Sequence, residues 1–366
     1  MKFKLSAVAL FCGIVMQIAF IASAAECSDL SDLSLSAFMR KSGEADDAPR
    51  LQRAIDSAPN GVVSVPAGVY EIGTTVYMTN RCSLLMHKNA VLKAVKSMEY
   101  VLNIGFAKSW DNYARHFDFG CFFKGGRVDG NGLANCVRVA NFFHYTMRDI
   151  QFHNGVKYGL YVRGGCELIA DNLYFICNKR GLAGNTALYV WGSDSHYTDI
   201  VIVDWTVGVH VPYGSSNRFT RCHVWGGCVP PAKDGELPEM LKDSVCFWLG
   251  EKGASNILRD CYADTGVTGY LCEGWELRLF SCSYFWNARV RGAADADAVA
   301  FKIPSGSVIV DAGHVCKTIS GLRIHEGNGR VTWSRMIYNG PKLDAAQDDL
   351  PGRVLFGETR NTDLAK

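Results

Sequence analysis

The chain has 366 residues, 48% of them hydrophobic and 20% charged, with a formal net charge of +2. These proportions are those of a globular protein and exclude a disordered or multi-span membrane chain, while the near-neutral balance excludes a protein that coats nucleic acid through phosphate contacts. The length exceeds the roughly 100 to 200 residues of an ordinary domain, and one elongated repeat can absorb it.

The first residues, MKFK, are basic; an apolar run from Leu5 to Ile21 follows, and Ala22-Ser23-Ala24 supplies small residues for cleavage. This pattern predicts a signal peptide over residues 1–25. It is expected to be removed rather than kept as an anchor, because the run is short for a bilayer span. Loss of Lys2 and Lys4 then leaves as many basic as acidic side chains. The mature protein is expected to be secreted or periplasmic, with no membrane partner once the signal is gone and no nucleic-acid partner.

Next, EADDAPRLQRAIDS opens with acids that suit a helix N-terminus and places Leu51, Ala54 and Ile55 on one face, which predicts a short capping helix. In GVVSVPAGVYEIGTTVYM, apolar and polar residues alternate around a Pro-Ala-Gly turn, the mark of paired strands.

From Cys121 onward the segments share one plan of two strands and a turn, about 22 residues long. The first inward apolar residues fall at Val137, Leu160, Leu188, Val209, Phe247, Tyr270, Phe301 and Leu322. Longer intervals need insertions, at roughly 178–186, 226–244 and 286–298, all at the same turn. The apolar period inside each unit is two rather than 3.6, so the repeat is of strands. The expected fold is all-β: a single-domain right-handed parallel β-helix over residues 26–340, with the short helix as its N-terminal cap. Residues 341–366 form a tail or cap.

The same register aligns Ile150, Ile200, Cys222, Cys261 and Cys282 near the start of each second strand, so these cysteines are read as small core hydrophobes. No C-x-x-C pair exists among the fourteen cysteines, which argues against a thiolate metal site, and an odd number remains once Cys12 leaves with the signal. Asn217 and Asn256 also align, as an internal ladder satisfying backbone groups.

Because alternate strand residues face opposite sides, the inward set also determines an outward one. Arg138, Tyr161, Tyr189, His210, Trp248, Leu271, Lys302 and Arg323 form a first outward row; Ala140, Arg163, Trp191, Pro212, Gly250, Glu273, Pro304 and His325 form a second. Aromatic faces stack on sugar rings and arginine grips a carboxylate at two points, so this strip suits an acidic glycan. The competing reading is ordinary packing under the inserted loops or against another subunit, which leaves a homo-oligomer open.

For β-elimination the candidates are His210 as base, Arg163 as carboxylate clamp, Tyr189 or Tyr161 as acid, and Lys302 as an alternative base. Arg138, Trp191, Trp248, Arg323 and His325 are expected to contact substrate. Hydrolysis requires two carboxyl groups, for which Glu273 with Glu251 or Asp194 are the candidates. Asp234, Glu236 and Glu239 lie in an acidic insertion, and His223 and Trp225, on a second strand, are read as structural. No cofactor is expected; a calcium site is left open, although no three acids converge.

The segments DDAPRLQRAIDSAPNGVVSVPAGVYEI, GGRVDGNG at 125–132 and GSSNRFTRCHVWGG resemble the pectate-lyase-like superfamily, nearest its rhamnogalacturonase, epimerase and tailspike depolymerase branch. That resemblance implies extracellular work on polysaccharides, with the glycan along one face. The polygalacturonase signatures are broken, since Asn185-Thr186 is followed by Ala187 and Arg323-Ile324 by His325. The R-x-P-x-x-R element of calcium pectate lyases and the D-P-H element of alginate epimerases are absent. The expected activity is a polysaccharide lyase; the alternatives are a glycoside hydrolase or transglycosylase and a non-catalytic glycan-binding helix.

Overall fold

The computed structural model describes residues 32–105, 120–179, 182, 184–229, 236, 239–286, 298–316, 323–334 and 336–339. The expected signal peptide and the tail at 341–366 lie outside these residues. Among the described residues no helix is long and apolar enough to cross a membrane.

Three long sheets of twelve, ten and eleven strands run side by side, and within each every pairing is parallel. Each coil therefore carries three strands, not the two read from sequence. In one coil, Val207–Ser215 lies in the ten-stranded sheet, Arg218–Thr220 in the twelve-stranded and His223–Trp225 in the eleven-stranded. The second and third strands were read as one because only a two-residue bend separates them. Its first residue adopts positive φ, as at Asp199 (54°), Arg221 (52°) and Asp260 (52°). The next residue points inward. Ile150, Ile200, Cys222, Cys261 and Cys282 all occupy that inward site, buried to within 1%. The cysteines are thiols there, packed as small apolar groups.

The core is a set of columns running along the helix axis. Phe247, Tyr270 and Phe301 stack in series at 5.2 Å, nearly parallel, and Tyr197 stacks on Phe219 at 4.7 Å. Offset aromatic pairs of this kind add about 0.5–1.5 kcal/mol each beyond their buried area. Asn217 and Asn256 form the expected ladder. The Asn217 amide donates to Gly192 O (2.9 Å) and to Asn256 Oδ1 (3.0 Å), and Asn256 Nδ2 donates to Gly214 O (3.1 Å). Both side chains are fully buried, so these bonds replace water that cannot reach the bend.

At the N-terminal end the helix Ala48–Asp56 lays Leu51, Ala54 and Ile55 against the first coils, all fully buried. Pro49 in its first turn suits a position whose N–H has no helical partner. The expected insertions all leave the eleven-stranded sheet and return to the ten-stranded one, after strands Tyr174–Ile176, His223–Trp225 and Ser283–Phe285. In the second, Cys228–Val229 pairs antiparallel with Glu239–Met240. Asp234 lies outside the described residues, and Glu236 and Glu239 are exposed.

Candidate functional site

The ten-stranded sheet presents the expected first row in continuous register from Arg138 through Tyr161, Tyr189, His210, Trp248 and Leu271 to Lys302, one residue per coil, and Asn103 precedes it. Parallel neighbours sit about 4.8 Å apart, which brings the rings into contact. Tyr161 and Tyr189 stack at 5.0 Å and Tyr158 joins both, at 4.8 and 5.1 Å. Tyr189 meets His210 edge-on at 5.1 Å, and the imidazole lies flat on Trp248 at 4.1 Å. All are half-buried. Arg138 Nη1 donates to Asn103 Oδ1 at 3.0 Å, which holds a cation at the start of the row.

The second row departs from expectation. Pro212 has no N–H to give the ladder, and the strand bulges there: Tyr189 pairs with His210, but Trp191 pairs with Tyr213. The row therefore runs Arg163, Trp191, Tyr213, Lys252 in place of Pro212 and Gly250. Arg163 lies over the Trp191 ring at 4.7 Å, a cation–π contact. Tyr213 is 51% exposed, and Trp275, next to Glu273, is 61% exposed. Tyr158, Tyr213, Lys252 and Trp275 were missed from sequence; the proline inside VHVPYGS was the signal for the slip.

At the far end the alignment fails by three residues. Phe301 pairs with His325 and Lys302 with Glu326, while Arg323 pairs with Val299; Leu322 lies outside the described residues. His325 therefore points into the core, 7% exposed, edge-on to Trp333, with burial lowering its pKa. It is not a substrate contact on this face. Lys302 Nζ is 3.1 Å from Glu326 Oε1, and Arg323 bonds the same carboxylate. Lys302 is engaged in that ion pair rather than turned toward a substrate, so it drops from the candidates.

Electrostatics separate the remaining groups. Burial depresses His210 to about 4, so its ring is neutral across the ordinary pH range. Burial raises the phenols of Tyr161 and Tyr189 and keeps them protonated, with Arg163 opposing the shift at both. Glu273 accepts a 2.8 Å bond from the Trp248 indole, whereas Glu251 and Asp194 are exposed, Asp194 on a turn at φ 56°. Among the described residues no group of three His, Cys, Asp or Glu side chains is arranged to hold a metal ion.

A second outward cluster lies on the eleven-stranded sheet. His223, on a third strand rather than a second, stacks on Tyr262 at 4.5 Å, and the Tyr262 hydroxyl donates to Asp264 at 3.3 Å.

No family model and no curated protein matches the sequence. Solved structures do match the fold. ORF18 of Geobacillus virus E2 superposes with a TM-score of 0.56 at 14% identity, over 88% of this chain and 64% of that one. The catalytic unit of a GH87 α-1,3-glucanase from Streptomyces thermodiastaticus gives 0.51 at 14% identity, over 84% and 63%. The endo-xylogalacturonan hydrolase of Aspergillus tubingensis gives 0.50 at 10% identity, over 87% and 98%. The fold is the right-handed parallel β-helix. This β-helix spans just under two thirds of the viral protein and of the glucanase unit.

Proposed function

We propose that this β-helix degrades an acidic polysaccharide outside the cytoplasm, by β-elimination on the outward face of its ten-stranded sheet. One observation carries the reading: five successive coils present Arg138, Tyr161, Tyr189, His210 and Trp248 in one register row, with Arg163 beside them. A merely solvated strand face has no need of a run of aromatic rings flanked by guanidinium groups. The names of the structural neighbours, a glucanase and a xylogalacturonan hydrolase, support a polysaccharide as the partner.

In this reading Arg163 neutralises the uronate carboxylate, which makes the neighbouring C–H acidic. Neutral His210 accepts that proton. Its own affinity for a proton is low, and the substrate's carboxylate, brought beside the ring, raises it by stabilising the imidazolium. Tyr189, kept protonated by burial, donates to the leaving oxygen. The elimination leaves a double bond in the new non-reducing sugar.

Hydrolysis is the second reading, favoured by Glu273, which the Trp248 indole holds at the edge of the row. A panel of uronic-acid polysaccharides, followed by ultraviolet absorbance from unsaturated ends, tests the choice. Rising absorbance is the expected result. Shorter chains with ordinary reducing ends and no absorbance overturn elimination in favour of hydrolysis, and binding without products leaves only a glycan-binding role.

A further inference from the structure

The second row has an order that the first lacks. Reading along the axis, one coil at a time, it runs cation, ring, ring, cation: Arg163, Trp191, Tyr213, Lys252. Both end residues are exposed, and the rings between them meet edge to face at 6.0 Å. Three coil steps separate the cations, about 14 Å at 4.8 Å per step. On the next coil the exposed Trp275 pairs with Ala254, two residues past Lys252, its N–H bonded to Gly253 O at 3.0 Å.

We propose that this row selects an acidic heteropolysaccharide whose charged sugars are separated by uncharged ones, rather than a polymer charged at every sugar. The inference rests on the reading of this sheet as the glycan face and adds the substrate class. A carboxylate laid over Tyr213, the one of these two rings over which Arg163 does not lie, meets the negative face of a ring, and a desolvated carboxylate without a partner is costly. An uncharged sugar presents C–H groups that those faces accept.

Affinity electrophoresis of the full chain tests this with three probes: gellan, which carries one uronate per repeat among uncharged sugars; polygalacturonate, charged at every sugar; and dextran, uncharged. Gellan is expected to bind at least about tenfold more tightly than polygalacturonate at equal uronate concentration. Arg163→Gln and Lys252→Gln are each expected to weaken gellan about tenfold, the loss of one charge-assisted contact, and to leave dextran unchanged. Equal or tighter binding of polygalacturonate, or an indifferent Lys252→Gln, overturns the spacing while leaving the glycan face intact. Absence of binding to all three, or gellan binding that survives both Trp248→Ala and Trp191→Ala, overturns the glycan face itself.

Discussion

The imidazole of His210 lies flat against the indole of Trp248, ring centres 4.1 Å apart and planes 11° from parallel. With Tyr189 edge-on at its other side, the ring is immobilised between adjacent coils. The same contacts strip it of water, which disfavours the protonated form and brings its pKa to about 4.

That depression sets the pH profile. If His210 is the base, the acid limb of kcat/KM falls at about pH 4, not near the ordinary imidazole value, because the free enzyme holds the ring neutral down to that point. His210→Ala is expected to lower turnover by about 10²–10⁴-fold. An acid limb near 6.5, or unchanged turnover in the variant, removes His210 from the base role.

Glu273→Gln separates the two chemistries. The amide oxygen still accepts from the Trp248 indole, so the local geometry is retained while the carboxylate is lost. Elimination is expected to continue within about threefold of the wild-type rate, since no step uses this group. A loss of about 10³-fold or more in turnover assigns Glu273 a catalytic part and favours hydrolysis.

Asp204 is half-buried, with its Oδ1 shielded from water and without a hydrogen-bond partner, and desolvation raises its pKa to about 7. The folded chain therefore holds this proton more tightly than the unfolded one. The sign is that stability is fully present below the unfolded carboxyl value near 4 and is lost as pH rises through about 7. Asp204→Asn is expected to match the wild-type Tm near pH 4 and to exceed it by several degrees at pH 8, on the order of 2 kcal/mol. Identical pH dependence of the two melting curves rules out a desolvated carboxyl at this position.

Asn256→Ala removes a rung of the buried ladder. It strands the Asn217 backbone N–H, leaves the Asn217 side-chain amide only its bond to Gly192 O, and takes the Asn256 donor from Gly214 O. The expected cost is about 2–4 kcal/mol, read as a lower denaturant midpoint with an unchanged slope. An unaltered midpoint contradicts the ladder.

Much of the coil was legible in advance for a definite reason. A parallel coil that repeats in register puts chemically similar residues at equal intervals, so aligning Val137, Leu160, Leu188, Val209, Phe247, Tyr270 and Phe301 separated inside from outside before any coordinates. The alignment lost its way wherever a local event changed the count. At Pro212 the missing N–H created a bulge and brought Tyr213 and Lys252 into the outer row. In the last described coil the pairing partner of Phe301 is His325, which fills an apolar column with a polar ring.

Period-two alternation and the interval of the repeat by themselves determined a β-helix, its core cysteines and its Asn ladder, because each depends only on which side of the strand a residue faces; the helical spacing of Leu51, Ala54 and Ile55 likewise determined the capping helix. Tertiary structure alone decided the third strand per coil, the pairing of Lys302 with Glu326, and the burial that sets the charge state of His210. These depend on how successive coils are offset and on how much water reaches a side chain, and neither quantity is carried by the order of residues along one strand.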